Sequence, residues 1–177
     1  MKILSFWPTE IFVFENYLPG KQHGKIKKLI TKDAEYFTYA ALDAKILDTA
    51  QLLLEHYDYK GSLKPEITEM WTNIRKTNQP HPPHVHANND YSGIYYIDEC
   101  TSTFFLDPRQ QNLTTDLGFN QPIRKIRGEP NKCVIFPSWL MHWVPNNDQS
   151  TDRKTISFNI KYRGKIGKPG SFTEVQA

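Results

Sequence analysis

Residues 153–162 read Arg-Lys-Thr-Ile-Ser-Phe-Asn-Ile-Lys-Tyr, and polar and apolar side chains alternate along most of this stretch. Alternation with a period of two predicts a β-strand with two different faces. The apolar face carries Ile156, Phe158 and Ile160, which we expect to pack against helices. The polar face either meets water, as such faces usually do, or lines a polar cavity. Its residues are Arg153, Thr155, Ser157 and Asn159.

The rest of the chain predicts a mainly β domain that follows two helices. Apolar residues at helical spacing predict helices at 20–32 and 43–57, the second capped by Asp43. Residues 107–131, with several Gly and Pro, predict long loops with at most one strand. The other predicted strands are 2–6, 10–14, 66–75, 91–97, 102–106 and 132–136. Helices followed by many short strands are typical of a sandwich or jelly roll with helical support.

Length and composition limit the class of protein. A chain of 177 residues predicts one domain, with strands and helices over 1–65, a jelly-roll core over 66–163 and a loose tail over 164–177. The net charge of +3 is too small to indicate nucleic-acid binding. No apolar run is long enough for a membrane helix or a signal peptide.

Cysteine use predicts the compartment. Cys100 and Cys133 lack metal-binding or redox spacing, and two reduced thiols are typical of a cytoplasmic protein. If a phage encodes the protein, the same prediction refers to the cytoplasm of the host cell.

Three histidines have the spacing of a metal site. His84 and His86 lie two residues apart, so a strand would direct both to one face, and His142 follows 56 residues later. Imidazole suits Fe, Zn, Cu and Ni, and the usual non-haem Fe(II) triad is two histidines and one carboxylate. Either all three histidines bind the metal, or Asp90 supplies the carboxylate in place of His86. A structural histidine pair is the competing interpretation.

Arg153, 11 residues after His142, predicts a carboxylate-binding site beside the metal. A guanidinium group grips a carboxylate through two parallel hydrogen bonds, and the Thr155 hydroxyl can share this contact. A metal with an arginine nearby suits a chelating keto acid, which places one end on the metal and its far carboxylate on the arginine.

The chain resembles the small 2-oxoglutarate/Fe(II)-dependent oxygenases of phages and marine bacteria, within the prolyl-hydroxylase-like superfamily. The resemblance covers roughly residues 66–162, with the opening at 6–11 also similar. Its motifs are Trp-Thr-Asn at 71–73, His-Val-His-Ala-Asn at 84–88, Ser-Gly-Ile-Tyr-Tyr at 92–96, Asp-Pro-Arg at 107–109, Phe-Pro-Ser-Trp-Leu-Met-His at 136–142, Arg153, and Ile-Ser-Phe-Asn at 156–159.

This resemblance implies a double-stranded β-helix (jelly-roll) fold, Fe(II), and 2-oxoglutarate as co-substrate. It implies that His84 is the first metal ligand and His142 the last, while His86 stands where the wider superfamily has an aspartate. Arg153 would bind the distal carboxylate of 2-oxoglutarate, and Tyr96 would hydrogen-bond the same group. Asn73 would line the cavity. The implied reaction couples oxidative decarboxylation of 2-oxoglutarate to hydroxylation of a C–H bond.

Two other functions fit the histidines. A cupin-type metalloenzyme that needs no keto acid would suit three histidines but does not need Arg153. A degenerate binding module is favoured if His86 cannot bind metal. The expected substrate is a small molecule or a peptide, with peptidyl proline, a free amino acid and a metabolite all open. We expect no nucleic-acid or membrane partner, and the sequence leaves the oligomeric state open.

Overall fold

A computed structural model of the chain describes residues 8–59, 61–109, 121–147, 150–167, 170, 172 and 174–176. The strand predicted at 2–6 lies outside the described residues. So do residues 110–120 of the long loop predicted over 107–131.

Two helices and eleven strands make up the described structure. The helices are α1 (Gly20–Leu29) and α2 (Ala40–His56). The strands are β1 (Phe12–Phe14), β2 (Lys64–Arg75), β3 (His81–His84), β4 (Tyr91–Tyr96), β5 (Cys100–Leu106), β6 (Ile123–Gly128), β7 (Cys133–Pro137), β8 (His142–Val144), β9 (Arg153–Arg163), β10 (Lys165–Ile166) and β11 (Val175–Gln176).

Two antiparallel sheets form the body of the domain. The larger sheet has the strand order β1-β7-β4-β9-β2, and the smaller has β3-β8-β5-β6. A buried cluster joins residues of both sheets, including Ile94 and Phe136 from the larger and Phe105 from the smaller. The predicted mainly β jelly roll with N-terminal helices is confirmed.

The helices cover the outer face of the larger sheet. Ile156, Phe158 and Ile160 of β9 are fully buried in one cluster with Leu42 and Ile46 of α2, as the alternation predicts. The opposite face of β9 is buried too, so it lines the space between the sheets and not the solvent. Its exposed fractions are 3% for Arg153, 0% for Thr155, 9% for Ser157 and 2% for Asn159.

A bulge in β2 divides its residues between the two faces. The pairing of β2 with β9 shifts register between Ile67 and Glu69. The extra residue lets Ile67 pack against the helix-facing cluster together with Met70, although the two are an odd number of residues apart. Glu69, whose side chain is exposed, is thereby placed directly opposite the buried Asn159.

Several element boundaries differ from the predictions. Helix α1 ends at Leu29, before the predicted 32, and α2 begins at Ala40 with Tyr39 as its N-cap. Asp43 is not the cap: it lies in the first turn, and its carboxylate accepts a hydrogen bond from the Tyr39 backbone N–H at 3.1 Å.

Three short strands carry little signal in the sequence. β3 contains two prolines, β6 lies in the predicted loop region, and β8 has only three residues. Their strand geometry comes from pairing with neighbours distant in sequence. The tail, predicted to be loose, holds a two-residue ladder between β10 and β11. No helix among the described residues is long and apolar enough to cross a membrane.

Packing of α2 on the sheet should carry a large share of the stability. Ile46 is fully buried, whereas Leu52 of the same helix is 53% exposed. We expect Ile46→Ala to lower the free energy of unfolding by about 2–5 kcal/mol, because it leaves a cavity in the core. Leu52→Ala is the matched control and should change it by less than about 0.5 kcal/mol. Urea unfolding checks both, and equal effects would contradict this packing.

Candidate metal centre

Three imidazoles converge at one end of the space between the sheets. His84 closes β3 and pairs directly with His142 at the start of β8. His86 follows β3, and its backbone N–H donates to the Ser138 carbonyl at 2.9 Å. One nitrogen from each of the three rings lies within 4.8 Å of those of the other two, a spacing that one metal ion can bridge.

Each of these rings has its Nδ1 atom hydrogen-bonded to an oxygen. The partners are the Pro82 carbonyl at 2.8 Å for His84, the Leu140 carbonyl at 2.9 Å for His142, and Asn159 Oδ1 at 2.7 Å for His86. These oxygens only accept, so Nδ1 is the protonated nitrogen in each ring. The Nε2 lone pair is then available to a metal, as in most histidine-ligated sites.

Burial favours the neutral form of two of these imidazoles, His86 and His142, and the neutral form is the one that metals bind. It lowers the pKa of His142 to about 3 and also lowers the pKa of His86. Neighbouring histidines add a smaller effect of the same sign. Because metal binding requires deprotonated nitrogen, the lowered pKa values of His86 and His142 prepare these two rings for an ion.

The structure does not bring Asp90 into this cluster. The Asp90 carboxylate accepts a hydrogen bond from the Tyr162 backbone N–H at 2.7 Å. Among the residues described, the group that can hold a metal consists of the three histidines and contains no carboxylate. The cluster therefore consists of three imidazoles, where the usual Fe(II) triad has two histidines and one carboxylate.

Arg153 is a buried cation beside the histidines. Its side chain donates to the Thr101 carbonyl at 3.3 Å and to the hydroxyls of Thr155 and Thr103, each at 3.1 Å. All of these acceptors are neutral, and no carboxylate in the described part of the chain forms an ion pair with it. A buried charge with only neutral partners is costly, so this position favours an anionic ligand.

A single narrow cavity connects Arg153 to the histidines. Asn73, Thr103 and Ser157 line it between them, and the Asn73 amide donates to the Ser157 hydroxyl at 3.0 Å. Tyr96 and Thr155 are not among the lining residues. Tyr96 is fully buried, its hydroxyl is 2.6 Å from Thr103 Oγ1, and its ring lies 5.5 Å from the Arg153 guanidinium. Both residues thus hold Arg153 in place.

A wider cleft of about 640 Å³ opens from the histidines to solvent. Trp71 and Glu69 line it, and the Trp71 ring stacks on His86 with 5.7 Å between centroids. His81 also lines it and stacks on His84 at 4.3 Å, outside the group of three. A cleft of this volume lies in the usual range of small-molecule sites.

Sequence reasoning missed several contributors to the site. Thr101 and Thr103 hold Arg153, and Glu69 accepts a hydrogen bond from the buried Asn159 amide at 2.7 Å. Residues 69, 71, 73 and 75 occupy alternate positions of β2, and this period of two could have indicated that their side chains face the site together. Their contacts with β9 could not be predicted from the sequence, because these contacts depend on how the two strands pair.

The sequence matches the model of a family described as "Putative 2OG-Fe(II) oxygenase" over residues 69–159, just over half of the chain. The chain belongs to this family. The matched segment begins at Glu69 and ends at Asn159, so it includes all three histidines and Arg153. Among curated proteins, no sequence matches significantly.

Solved structures share the fold at low sequence identity. A Pseudomonas putida prolyl-4-hydroxylase aligns with a TM-score of 0.62 at 11% identity, covering 88% of this chain and 94% of that one. A viral collagen prolyl hydroxylase from Paramecium bursaria Chlorella virus-1, in complex with 2-oxoglutarate, gives 0.56 at 14%, covering 85% and 94%. HygX from Streptomyces hygroscopicus, with nickel and 2-oxoglutarate bound, gives 0.57 at 10%, covering 86% and 82%.

The low pKa of His142 predicts acid sensitivity of the metal-free protein. Below pH 6.5 the unfolded chain protonates this histidine, whereas the folded chain does so only near pH 3. The free energy of unfolding should therefore fall on acidification between these values, by up to about 1.4 kcal/mol per pH unit from this residue. The free energy of unfolding, measured with urea at pH 5.5 and at pH 4, should fall less between these two pH values for His142→Gln than for the wild type. An equal fall in both proteins would show that His142 titrates normally in the folded state.

Proposed function

We propose that this oxygenase holds Fe(II) with His84, His86 and His142, and holds the distal carboxylate of 2-oxoglutarate with Arg153. The observation that carries the proposal is one cavity lined both by the three clustered histidines and by a buried arginine with neutral partners. Membership of the oxygenase family supports both assignments.

The donor set fits Fe(II). Imidazole is a suitable ligand for this ion, and three ligands leave positions for a chelating co-substrate and for oxygen. The Nδ1 hydrogen bonds to Pro82, Leu140 and Asn159 fix the ring orientations that direct Nε2 to a common point. His86 would thus replace the carboxylate of the usual triad.

The Arg153 pocket fits a carboxylate. The Arg153 side chain lines the cavity and is buried, so a carboxylate bound there would neutralise it with little screening by solvent. Hydrogen bonds to charged groups are strong under such conditions. We propose that Thr155 and Tyr96 fix the Arg153 side chain, and that Asn73 lines the co-substrate cavity through its bond to Ser157.

When bound, Fe(II) with 2-oxoglutarate and O₂ supplies the oxidising chemistry that inserts an oxygen atom into a C–H bond and yields succinate and CO₂. The protein's own residues bind, orient and shield these groups. The buried walls contributed by Phe136 and Ile94 exclude water from the cavity. The wide cleft beside Trp71 would hold the substrate against the exposed side of the metal site.

A cupin-type enzyme that uses no keto acid remains the second candidate, since three histidines alone would serve it. Such an enzyme would not need the buried Arg153 that lines the same cavity. A binding module without metal gives no reason for three imidazoles with Nε2 atoms directed together. We infer a small-molecule or peptide substrate from the cleft, and prolyl hydroxylases among the structural neighbours make peptidyl proline one candidate.

Anaerobic titration of the Fe(II)-loaded protein with 2-oxoglutarate tests the whole assignment. We expect a visible charge-transfer band, because the keto and carboxylate groups would chelate the iron. His142→Ala should remove the band together with the iron, as measured by elemental analysis. A wild-type protein that binds iron without developing the band would favour the cupin-type alternative.

Substitution of Arg153 tests the carboxylate-binding half of the site. Removing one partner of a buried charge pair costs about 2–5 kcal/mol, so Arg153→Ala should weaken 2-oxoglutarate binding by about 30-fold or more. Iron content should stay unchanged. Arg163→Ala is the matched control, because Arg163 lies on the same strand and pairs with Glu66 at the surface. Unchanged affinity in calorimetry for Arg153→Ala would contradict the assignment.

A further inference from the structure

We propose that Glu69 is a positioning residue for the metal centre: through Asn159 it sets the tautomer of His86 and so makes His86 Nε2 a metal ligand. The inference rests on the proposed metal site, and it explains how a histidine can serve at the position where a carboxylate is expected. Three residues form the relay, namely Glu69, Asn159 and His86.

The relay consists of two short hydrogen bonds across one amide. Glu69 and Asn159 are direct partners in the pairing of β2 with β9. The Asn159 Nδ2 group donates to Glu69 Oε2 at 2.7 Å, and Asn159 Oδ1 lies 2.7 Å from His86 Nδ1. Asn159 is 2% exposed, so its amide has little access to water as an alternative partner.

Glu69 determines which end of the Asn159 amide faces His86. An ionised carboxylate can only accept, so it must face the NH₂ end of the Asn159 amide. The oxygen end then faces His86, and because that oxygen also only accepts, His86 must carry its proton on Nδ1. Its Nε2 atom is left with a free lone pair. A reversed amide would instead favour the proton on Nε2, which would block metal binding.

The other contacts of Asn159 and His86 do not impose this direction. The Ser92 hydroxyl donates to Asn159 Oδ1 at 2.8 Å and also contacts the Ser138 hydroxyl at 2.8 Å. Hydroxyl groups can donate or accept, so they would adapt to either amide orientation. Trp71 stacks on the His86 ring and fixes its plane, but a stacking contact does not distinguish the two tautomers.

Glu69 also contributes negative charge to a ligand set that has none of its own. A carboxylate hydrogen-bonded to a metal-binding histidine raises the basicity of the ring, and removing such a partner typically weakens metal binding by about 10–100-fold. Here the carboxylate acts through the intervening amide. The bulge at the start of this part of β2 is what places Glu69 opposite Asn159.

The tautomer can be measured directly, without metal or activity. We expect nitrogen NMR of the metal-free protein at pH 8 to show His86 protonated on Nδ1. Glu69→Leu should give a mixture of tautomers or the Nε2-protonated form. Glu66→Leu is the matched control and should keep the wild-type pattern, because Glu66 is also exposed on β2 but pairs with Arg163 and not with Asn159. An unchanged tautomer in Glu69→Leu would overturn the proposal.

Co(II) affinity gives an independent test. Glu69→Leu should raise the Co(II) dissociation constant by about 10–100-fold, and Glu66→Leu should leave it unchanged. The double substitution Glu69→Gln with Asn159→Asp exchanges the two groups, so that a carboxylate accepts directly from His86, and affinity should return towards the wild-type value. Loss of affinity in Glu69→Leu without recovery in the double variant would indicate a merely structural role. Failure of the wild-type protein to bind Co(II) would count against the metal site itself, while the NMR result would still report on Glu69.

Discussion

The register of β9 between its two neighbours is the constraint that organises both the core and the site. β9 pairs with β2 on one side and with β4 on the other, so its position is held along its whole length. A slip of one residue would turn Ile156, Phe158 and Ile160 into the cavity and Arg153 towards the helices. The buried apolar face therefore fixes the direction in which Arg153 and Asn159 point.

The space between the two sheets holds an apolar cluster around Phe105 and Phe136, and beside this cluster lies the buried polar face of β9. Every buried side-chain nitrogen and oxygen atom of the described residues has a hydrogen-bond partner, as a stable polar interior requires. Many of these bonds link distant strands: Arg153 joins β9 to β5, and Asn159 joins β9 to β2 and to His86. The network that satisfies these buried groups also orients His86 and Arg153, which we propose bind the metal and the carboxylate.

Much of the site could be predicted from the sequence, because the polar residues of β9 share one face of a regular strand and the three histidines have the spacing of a metal site. His86 itself lies after β3 and not on it. The period of two places Arg153 and Thr155 on one face, and the spacing of His84 and His86 indicates a shared ligand set. The prediction was wrong where long-range contacts outweigh local pattern. Asp43 looked like a helix cap, but the helix begins earlier, and β8 is too short to produce a periodic signal. Asp90 was close in sequence to His86, yet its carboxylate is engaged by the backbone of Tyr162.

Local periodicity and residue chemistry thus specified most of the longer strands, the two faces of β9 and the kinds of ligand the site can hold, because side-chain direction in a strand follows directly from the backbone. The partner of each buried polar group could not be obtained in this way. Glu69 meets Asn159 only because β2 pairs with β9 after a bulge, and Thr103 meets Arg153 only because the smaller sheet packs over the larger. Such contacts join residues 50 to 90 positions apart, and their geometry arises when the sheets assemble.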